Sequence, residues 1–401
     1  MPARPLRVAL ISLHTSPLAD AGAGDAGGMN IMVRHSAEAM AAVGHEVVVF
    51  TRRTDPHSPD VQPLAPRAVV HQLRAGPAAP VSKEHHEELI APFAAVLAQH
   101  WDGWDVVHSH HWFSGMAAQP LAAAHGQPHV QTFHSITAGH NRPLDEGEPA
   151  ESPGRADGER HLAQASEAVV AVSDAERTTA ITRLGAQPEH VQVVRPGVDV
   201  DRFRPIGGHH PPALVLAARL EPLKGVDLAI RALALVPEDI RPTLHVLGAP
   251  SSAYPGYDDQ LVRLGQRVGV SPWLRFSGAV SRAVLAHSFA AASAVLVPSH
   301  SETFGLTALE ASACGVPVIA SGAGGLSEAV LDEVTGLIVP RRDPRQWADA
   351  ITSLLQDSDY AANLGAAGRQ FALSRTWQAT AAGWVDVYRQ VMAQRPVAQH
   401  R

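Results

Sequence analysis

Short runs of aliphatic and β-branched residues alternate along the chain with longer stretches in which apolar residues return every three or four positions. The first run covers 7–13 and precedes an amphipathic stretch over 29–43; runs over 46–51 and 69–73 precede another over 83–100, and 105–108 follows. A short continuous apolar run reads as a strand buried on both faces, and the 3.6-residue spacing reads as a helix. Strand, helix, strand in this order predicts a parallel sheet covered by helices on both faces. Ligands of such a sheet sit in the crevice at the carboxyl ends of its strands, so function is expected in the loops that follow strands.

The alternation restarts after a Pro- and Gly-rich interval over 195–212, with strands expected at 213–218, 243–247, 294–297, 317–320 and 336–339. The pattern predicts an α/β protein of two doubly wound domains, 1–197 and 198–375, facing each other across a cleft. A closing segment, 376–401, contains Trp377 and Trp384 and is expected to pack back on the first domain as a helix.

Composition narrows the possibilities. The 401 residues are 45% hydrophobic and 18% charged, which excludes a disordered chain. A single cysteine, Cys314, excludes an intrachain disulfide and a four-cysteine zinc site, and suits a cytoplasmic protein. The net charge of −7 argues against nucleic acid as the main partner. No run approaches the ~18 apolar residues of a membrane-spanning helix. Arg4, Arg7 and the short run after them lack the length and cleavage site of a signal peptide and read as the first buried strand.

Candidate chemistry follows the strand ends. The first strand ends in His14, and the loop after it holds Gly22, Gly24, Gly27 and Gly28 before a helix opening at Met29. Bare amides at a helix start form an anion site, although a surface turn explains the same glycines, and the spacing is not the dinucleotide fingerprint. Arg219 and Lys224 flank a turn just after the strand at 213–218. Two cations there suit a diphosphate, while a pair of solvated charges is the plainer alternative. Glu302 lies in the loop after the strand at 294–297 and Glu310 in the helix that follows. On one continuous helix, positions eight apart lie about 80° and about 12 Å apart, a separation that suits a long ligand better than a metal. The amides of Phe304, Gly305 and Leu306 fall at that helix's start, where negative charge is favoured.

Other signals carry less. His108 and His110 share one face of a strand without a carboxylate to complete a zinc set. Asp199 and Asp201 follow Pro196-Gly197 and read as a turn rather than a metal pair, so neither a metal nor a bound cofactor is expected. No Gly-x-Ser-x-Gly elbow occurs, which leaves hydrolase chemistry unsupported.

Taken in order and spacing, Gly27-Gly28, His134, Arg219, Lys224, Glu302 and Glu310 resemble the family 4 glycosyltransferases of GT-B architecture, over nearly the whole chain. The resemblance implies two Rossmann-like domains and a nucleotide-diphosphate sugar as co-substrate. It gives the donor diphosphate to Arg219 and Lys224, the ribose to Glu310, the donor sugar to Glu302, and a close approach to the phosphates to Gly28, with Phe304, Gly305 and Leu306 along the donor. His134 would lie against the reacting sugar, making His134 and Glu302 the catalytic candidates. It also implies retention of anomeric configuration without a dedicated nucleophile or a metal, and is compatible with a homodimer.

Within that family the segment from His14 through Asp25 to Asn30 is similar to the first loop of the mycothiol-pathway branch, which attaches N-acetylglucosamine to inositol 3-phosphate. The likeness places acceptor contacts on His14, Asp25, Asn30, Lys83, His111, Ser135 and Arg155, with Lys83 and Arg155 fitting a phosphate pocket. His111 stands where that branch has tyrosine and Ser135 where it has threonine, so the hydroxyl is kept at one position and replaced by a titratable ring at the other. The implied reaction uses UDP-N-acetylglucosamine and a small hydroxylated acceptor. A family member with a lipid, glycan or natural-product acceptor, and a nucleotide-sugar-binding module without catalysis, are the alternatives.

Overall fold

The computed structural model describes residues 4–19, 27–138, 143–207, 211–251 and 253–394. Its first sheet contains β1 (Arg7–Ser12), β2 (Glu46–Arg52), β3 (Val61–Ala65), β4 (Ala68–Leu73), β5 (Val106–His110), β6 (His129–Thr132), β7 (Ala168–Ala171) and β8 (Val191–Val193). Its second contains β9 (Ala213–Ala217), β10 (Thr243–Leu247), β11 (Leu274–Phe276), β12 (Ala294–Val297), β13 (Val318–Ser321) and β14 (Gly336–Val339). The fold is α/β with two parallel-sheet domains, as the apolar runs predict. The central strands are buried on both faces, because helices cover both.

Strand order runs β3-β4-β2-β1-β5-β6-β7-β8 in the first sheet and β11-β10-β9-β12-β13-β14 in the second. Each order reverses once, between β1 and β5 and between β9 and β12, and the loops leaving those four strands are where a doubly wound sheet binds its ligand. Among the described residues only β3 pairs antiparallel, at the sheet edge, where Pro63 removes no needed ladder donor.

The helix expected over 83–100 divides. Two 3₁₀ turns, Lys83–His85 and Glu87–Leu89, precede an α-helix over Ile90–Gln99. Pro92 accounts for the break: its ring would meet the carbonyl four residues earlier and it has no N–H to donate, and the α-helix begins with Pro92 in its first turn. Among the described residues 194–207 hold no helix or strand between the sheets. The last helix, Trp377–Gln394, packs on the helix Gly28–Ala42, with Trp377 stacked on His35 at 5.2 Å between ring centroids. Trp384 packs against His108, and the Tyr388 hydroxyl is 2.7 Å from His108 Nδ1. No helix among the described residues is long and apolar enough to cross a membrane.

Candidate functional site

A cavity of about 360 Å³ lies between the two sheets at the carboxyl ends of their strands. The loops after β1, β5 and β6 bring His14, Gly28, His111, His134 and Ser135 to one wall. Those after β9 and β12 bring Arg219, Lys224, Glu302, Phe304, Gly305 and Leu306 to the other, with Glu310 behind them on the helix Leu306–Ala313.

Lys224 closes a 3₁₀ turn, Pro222–Lys224, and Gly225 after it has φ 67°. A Cβ on Gly225 would stand 2.0 Å from the Pro298 carbonyl oxygen, so glycine is required and the turn is locked onto the loop after β12. Lys224 Nζ donates to Glu302 Oε1 at 2.7 Å, and Ser299 Oγ donates to the same oxygen at 3.0 Å. Burial disfavours the ammonium, but the carboxylates Glu302 and Glu221 outweigh it and raise the pKa of Lys224. Arg219 Nη2 lies 3.5 Å from Glu221 Oε1. The two cations meet on the cavity wall, as their spacing suggests, each beside a carboxylate.

The helix Leu306–Ala313 opens only after Gly305, whose φ of 105° no other residue adopts comfortably. Glu302 is therefore in the preceding loop, and the separation of eight positions on one helix does not describe the pair. Glu310 is 3% exposed and accepts from both terminal guanidinium nitrogens of Arg282, Nη1 at 3.1 Å from Oε2 and Nη2 on Oε1. Arg282 also lies over the Phe203 ring at 4.6 Å. Such a fork fixes the carboxylate plane and leaves its outer lone pairs for hydroxyl donors. Gly28 approaches this helix from the other domain: a Cβ there would be 3.1 Å from Leu306 Cδ1.

On the opposite wall His111 and His134, the residues at or just past the ends of β5 and β6, both take positive φ, 68° and 62°. Left-handed backbone at non-glycine residues costs about 1–3 kcal/mol each and persists where the surroundings over-determine it. His111 N–H donates to the Thr132 carbonyl at 2.8 Å, and the His134 carbonyl accepts from Thr303 Oγ1 of the facing domain at 2.8 Å. His110 Nδ1 is 2.9 Å from His134 Nε2, and the His14 and His111 rings lie 4.4 Å apart. Burial holds His14, His108, His110 and His111 well below the ordinary imidazole range, and His129 and His134 at about 3, so all are neutral at pH 7.

The expected phosphate pocket is differently arranged. Lys83 reaches the cavity, but its Nζ donates to Glu148 Oε2 at 3.0 Å. Arg155 is fully buried behind the wall. Its Nε donates to Glu159 Oε1 at 2.7 Å, its Nη1 to Glu151, and its Nη2 to the Ser135 carbonyl and Oγ at 3.1 and 2.9 Å. Asn30 is also set back, donating from Nδ2 to the Ala19 carbonyl at 2.9 Å. Asp25 lies outside the described residues. His108 bonds Tyr388 and also Thr132 Oγ1, at 2.9 Å, and among the described residues no three His, Cys, Asp or Glu side chains are grouped to hold a metal ion.

Glu148, Glu151, Glu159 and Arg282 are functional neighbours that sequence reasoning missed. Glu151 and Glu159 stand four residues either side of Arg155, a spacing that signals a helical ion pair. Glu148 carries no such signal, being 65 residues from Lys83.

The family described as Family 4 Glycosyltransferase in conflict systems matches residues 17–384. A protein of Kineococcus radiotolerans named D-inositol 3-phosphate glycosyltransferase is 40% identical over 418 residues, spanning 97% of this chain and 96% of that protein. One of the same name from Frankia alni is 39% identical, spanning 96% and 100%. Among solved structures, sucrose-phosphate synthase from Thermosynechococcus elongatus superposes with a TM-score of 0.87 at 30% identity, covering 97% of this chain and 100% of that one. Anabaena HepE, solved with UDP and glucose, has the same fold, with a TM-score of 0.75 at 19% identity over 97% and 98% of the two chains.

Proposed function

The chain belongs to the family 4 glycosyltransferases, and we propose that it moves N-acetylglucosamine from UDP-N-acetylglucosamine to a small cyclitol in the cytoplasm, with retention of configuration. Inositol 3-phosphate is the acceptor after which its relatives are named. The observation that carries the reading is the single cavity on which Arg219, Lys224, Glu302 and Glu310 converge from one domain and His134 and Gly28 from the other.

In the proposed step the bond from the anomeric carbon to the diphosphate oxygen breaks, and the acceptor oxygen bonds that carbon on the same face. The acceptor proton passes to the departing diphosphate, so the products are the glycoside and UDP. Negative charge grows on the leaving oxygen, which Arg219, Lys224 and the amides at the start of the helix Leu306–Ala313 stabilise. Glu302, fixed by Lys224 and Ser299, accepts from donor-sugar hydroxyls; Glu310, fixed by Arg282, accepts from the ribose. His134 is neutral and offers a hydrogen bond without a charge. No metal or cofactor takes part in the proposed step.

Mass spectrometry of products from a grid of nucleotide sugars and acceptors tests this. UDP-N-acetylglucosamine with inositol 3-phosphate or inositol is expected to yield one N-acetylhexosamine adduct and free UDP in equal amounts. Lack of any adduct across the grid would favour a binding module over an enzyme.

Glu310→Ala is expected to weaken UDP binding about 10- to 100-fold, because the ribose loses a charged acceptor and the half-buried Arg282 loses its fork partner. Titration calorimetry with UDP measures it; an unchanged affinity removes Glu310 from the donor site.

A further inference from the structure

Glu148 is placed where an acceptor anion would otherwise go. Its carboxylate bonds Lys83 at 3.0 Å, lies 3.7 Å from Arg155 Nη1, and lines the same cavity as Arg219 of the other domain. Of the carboxylates around Arg155, Glu148 lines the cavity, whereas Glu151 and Glu159 do not. Its main chain is fixed: the Glu148 carbonyl accepts from the Ala138 N–H at 2.8 Å, and Gly147 before it has φ 127°. The side chain is about a quarter exposed and belongs to no helix or strand. A fixed backbone thus presents a carboxylate to three cations from two domains.

The two cations that resemblance offers an acceptor phosphate are therefore already engaged. Arg155 spends Nε, Nη1 and Nη2 on Glu159, Glu151 and Ser135, and lies behind the wall. Lys83 remains, and its ammonium is hydrogen-bonded to Glu148, with Glu151 Oε2 further off at 3.9 Å and itself paired with Arg155. An acceptor phosphate bound to Lys83 would stand beside Glu148, and like charges at that distance repel unless the carboxylate turns away. A cyclitol hydroxyl in the same place donates to Glu148 instead, and leaves the Lys83 pair intact.

We propose that Glu148 is the specificity-determining residue of the acceptor end, where its carboxylate competes with an acceptor phosphate for Lys83 and accepts hydroxyl hydrogen bonds from an uncharged polyol. The inference rests on the reading that the cyclitol enters this cavity, and it concerns which charge state the cavity prefers.

Glu148→Gln keeps the shape and removes the charge. In the full-length protein it is expected to raise the ratio of kcat/KM for inositol 3-phosphate over that for myo-inositol by about tenfold, mostly through KM. The gain should vanish in the double variant with Lys83→Met, since it comes from the freed ammonium. Calorimetric binding of inositol 3-phosphate in the presence of UDP gives a second reading that needs no turnover, and there too Glu148→Gln should bind about tenfold tighter. If neither cyclitol is glycosylated by any form, the transfer reading fails while the binding comparison still decides the role of Glu148. An unchanged or weaker phosphate affinity in a folded Glu148→Gln or Glu148→Ala protein overturns the inference.

Discussion

Lys224→Ala is expected to lower kcat for sugar transfer by about 10²- to 10³-fold, while affinity for free UDP changes far less than in Glu310→Ala. The difference comes from when each group acts. In the proposed step Glu310 meets a ribose that is the same in substrate and transition state, so its loss is expected in binding. In the same proposed step Lys224 faces an oxygen whose charge grows as the sugar departs, so its loss is expected to fall on the chemical step. The local structure sharpens this contrast. Lys224 is half-buried, kept protonated by Glu302 and Glu221, and anchored by a turn whose following glycine packs on the Pro298 carbonyl. Lys224→Ala also leaves Glu302 with only the Ser299 hydroxyl, so the donor-sugar contact loosens together with the cation. Lys224→Arg is expected to recover only part of the rate, since a longer planar fork cannot occupy a point-charge position set by that turn. Single-turnover rates at saturating donor measure the effect. A rate within threefold of wild type would remove Lys224 from the charge-stabilising role.

Much of this donor end was legible from residue order. Continuous apolar runs identify β1, β2, β9 and β12 because strands covered on both faces leave no room for polar alternation, and the loops after them carry Arg219, Lys224 and Glu302. What the sequence did not convey was pairing across distance. Arg282 and Glu310 are 28 positions apart and Lys83 and Glu148 are 65 apart, and neither separation is a helical or strand period. Each pair is made by tertiary packing: Arg282 opens the helix Arg282–Ala290 and meets Glu310 on the helix Leu306–Ala313, and Lys83 opens a 3₁₀ turn that meets the loop of Glu148. The acceptor end is built from loops, so its motif positions align while its charge balance stays hidden. The edge strand β3 escaped for a related reason: half exposed and interrupted by Pro63, it lacks the apolar continuity that marks the interior strands. Pro92 did stand in the sequence as a reason to divide the stretch over 83–100, and the 3.6-residue spacing obscured it.

A set of buried imidazoles at and behind this wall is expected to make the protein less stable in acid. Six histidines, His14, His108, His110, His111, His129 and His134, are held neutral in the folded state, with burial as the leading cause for each. Their folded pKa values lie below the ordinary ~6.5 of an unfolded chain, so between the two the unfolded state binds more protons. The stability they contribute is present above pH ~6.5 and falls as the pH drops through that window. One pH unit below 6.5, a histidine that stays neutral in the fold costs about 1.4 kcal/mol, so six cost at most about 8 kcal/mol. Glu176 works in the other direction: burial pushes its carboxyl up to about 7, so its contribution is lost as pH rises through 7 and grows on acidification. That single group returns about 1–2 kcal/mol by pH 5.5 and cannot offset six imidazoles. Against a typical folding stability of about 5–15 kcal/mol, a net loss of up to about 6–7 kcal/mol is a large fraction of the whole, and the first domain is expected to be much less stable at pH 5.5 than at pH 7. Urea titrations from pH 7.5 to 5.0 should show unfolding free energy falling with an uptake of several protons. His129→Gln, which removes a ring held between Ser109 and Ser166, should reduce that uptake by one. A slope of less than one proton over this range would mean that the histidines are already solvated, and the neutral His134 assigned to the reacting sugar would have to be given up with them.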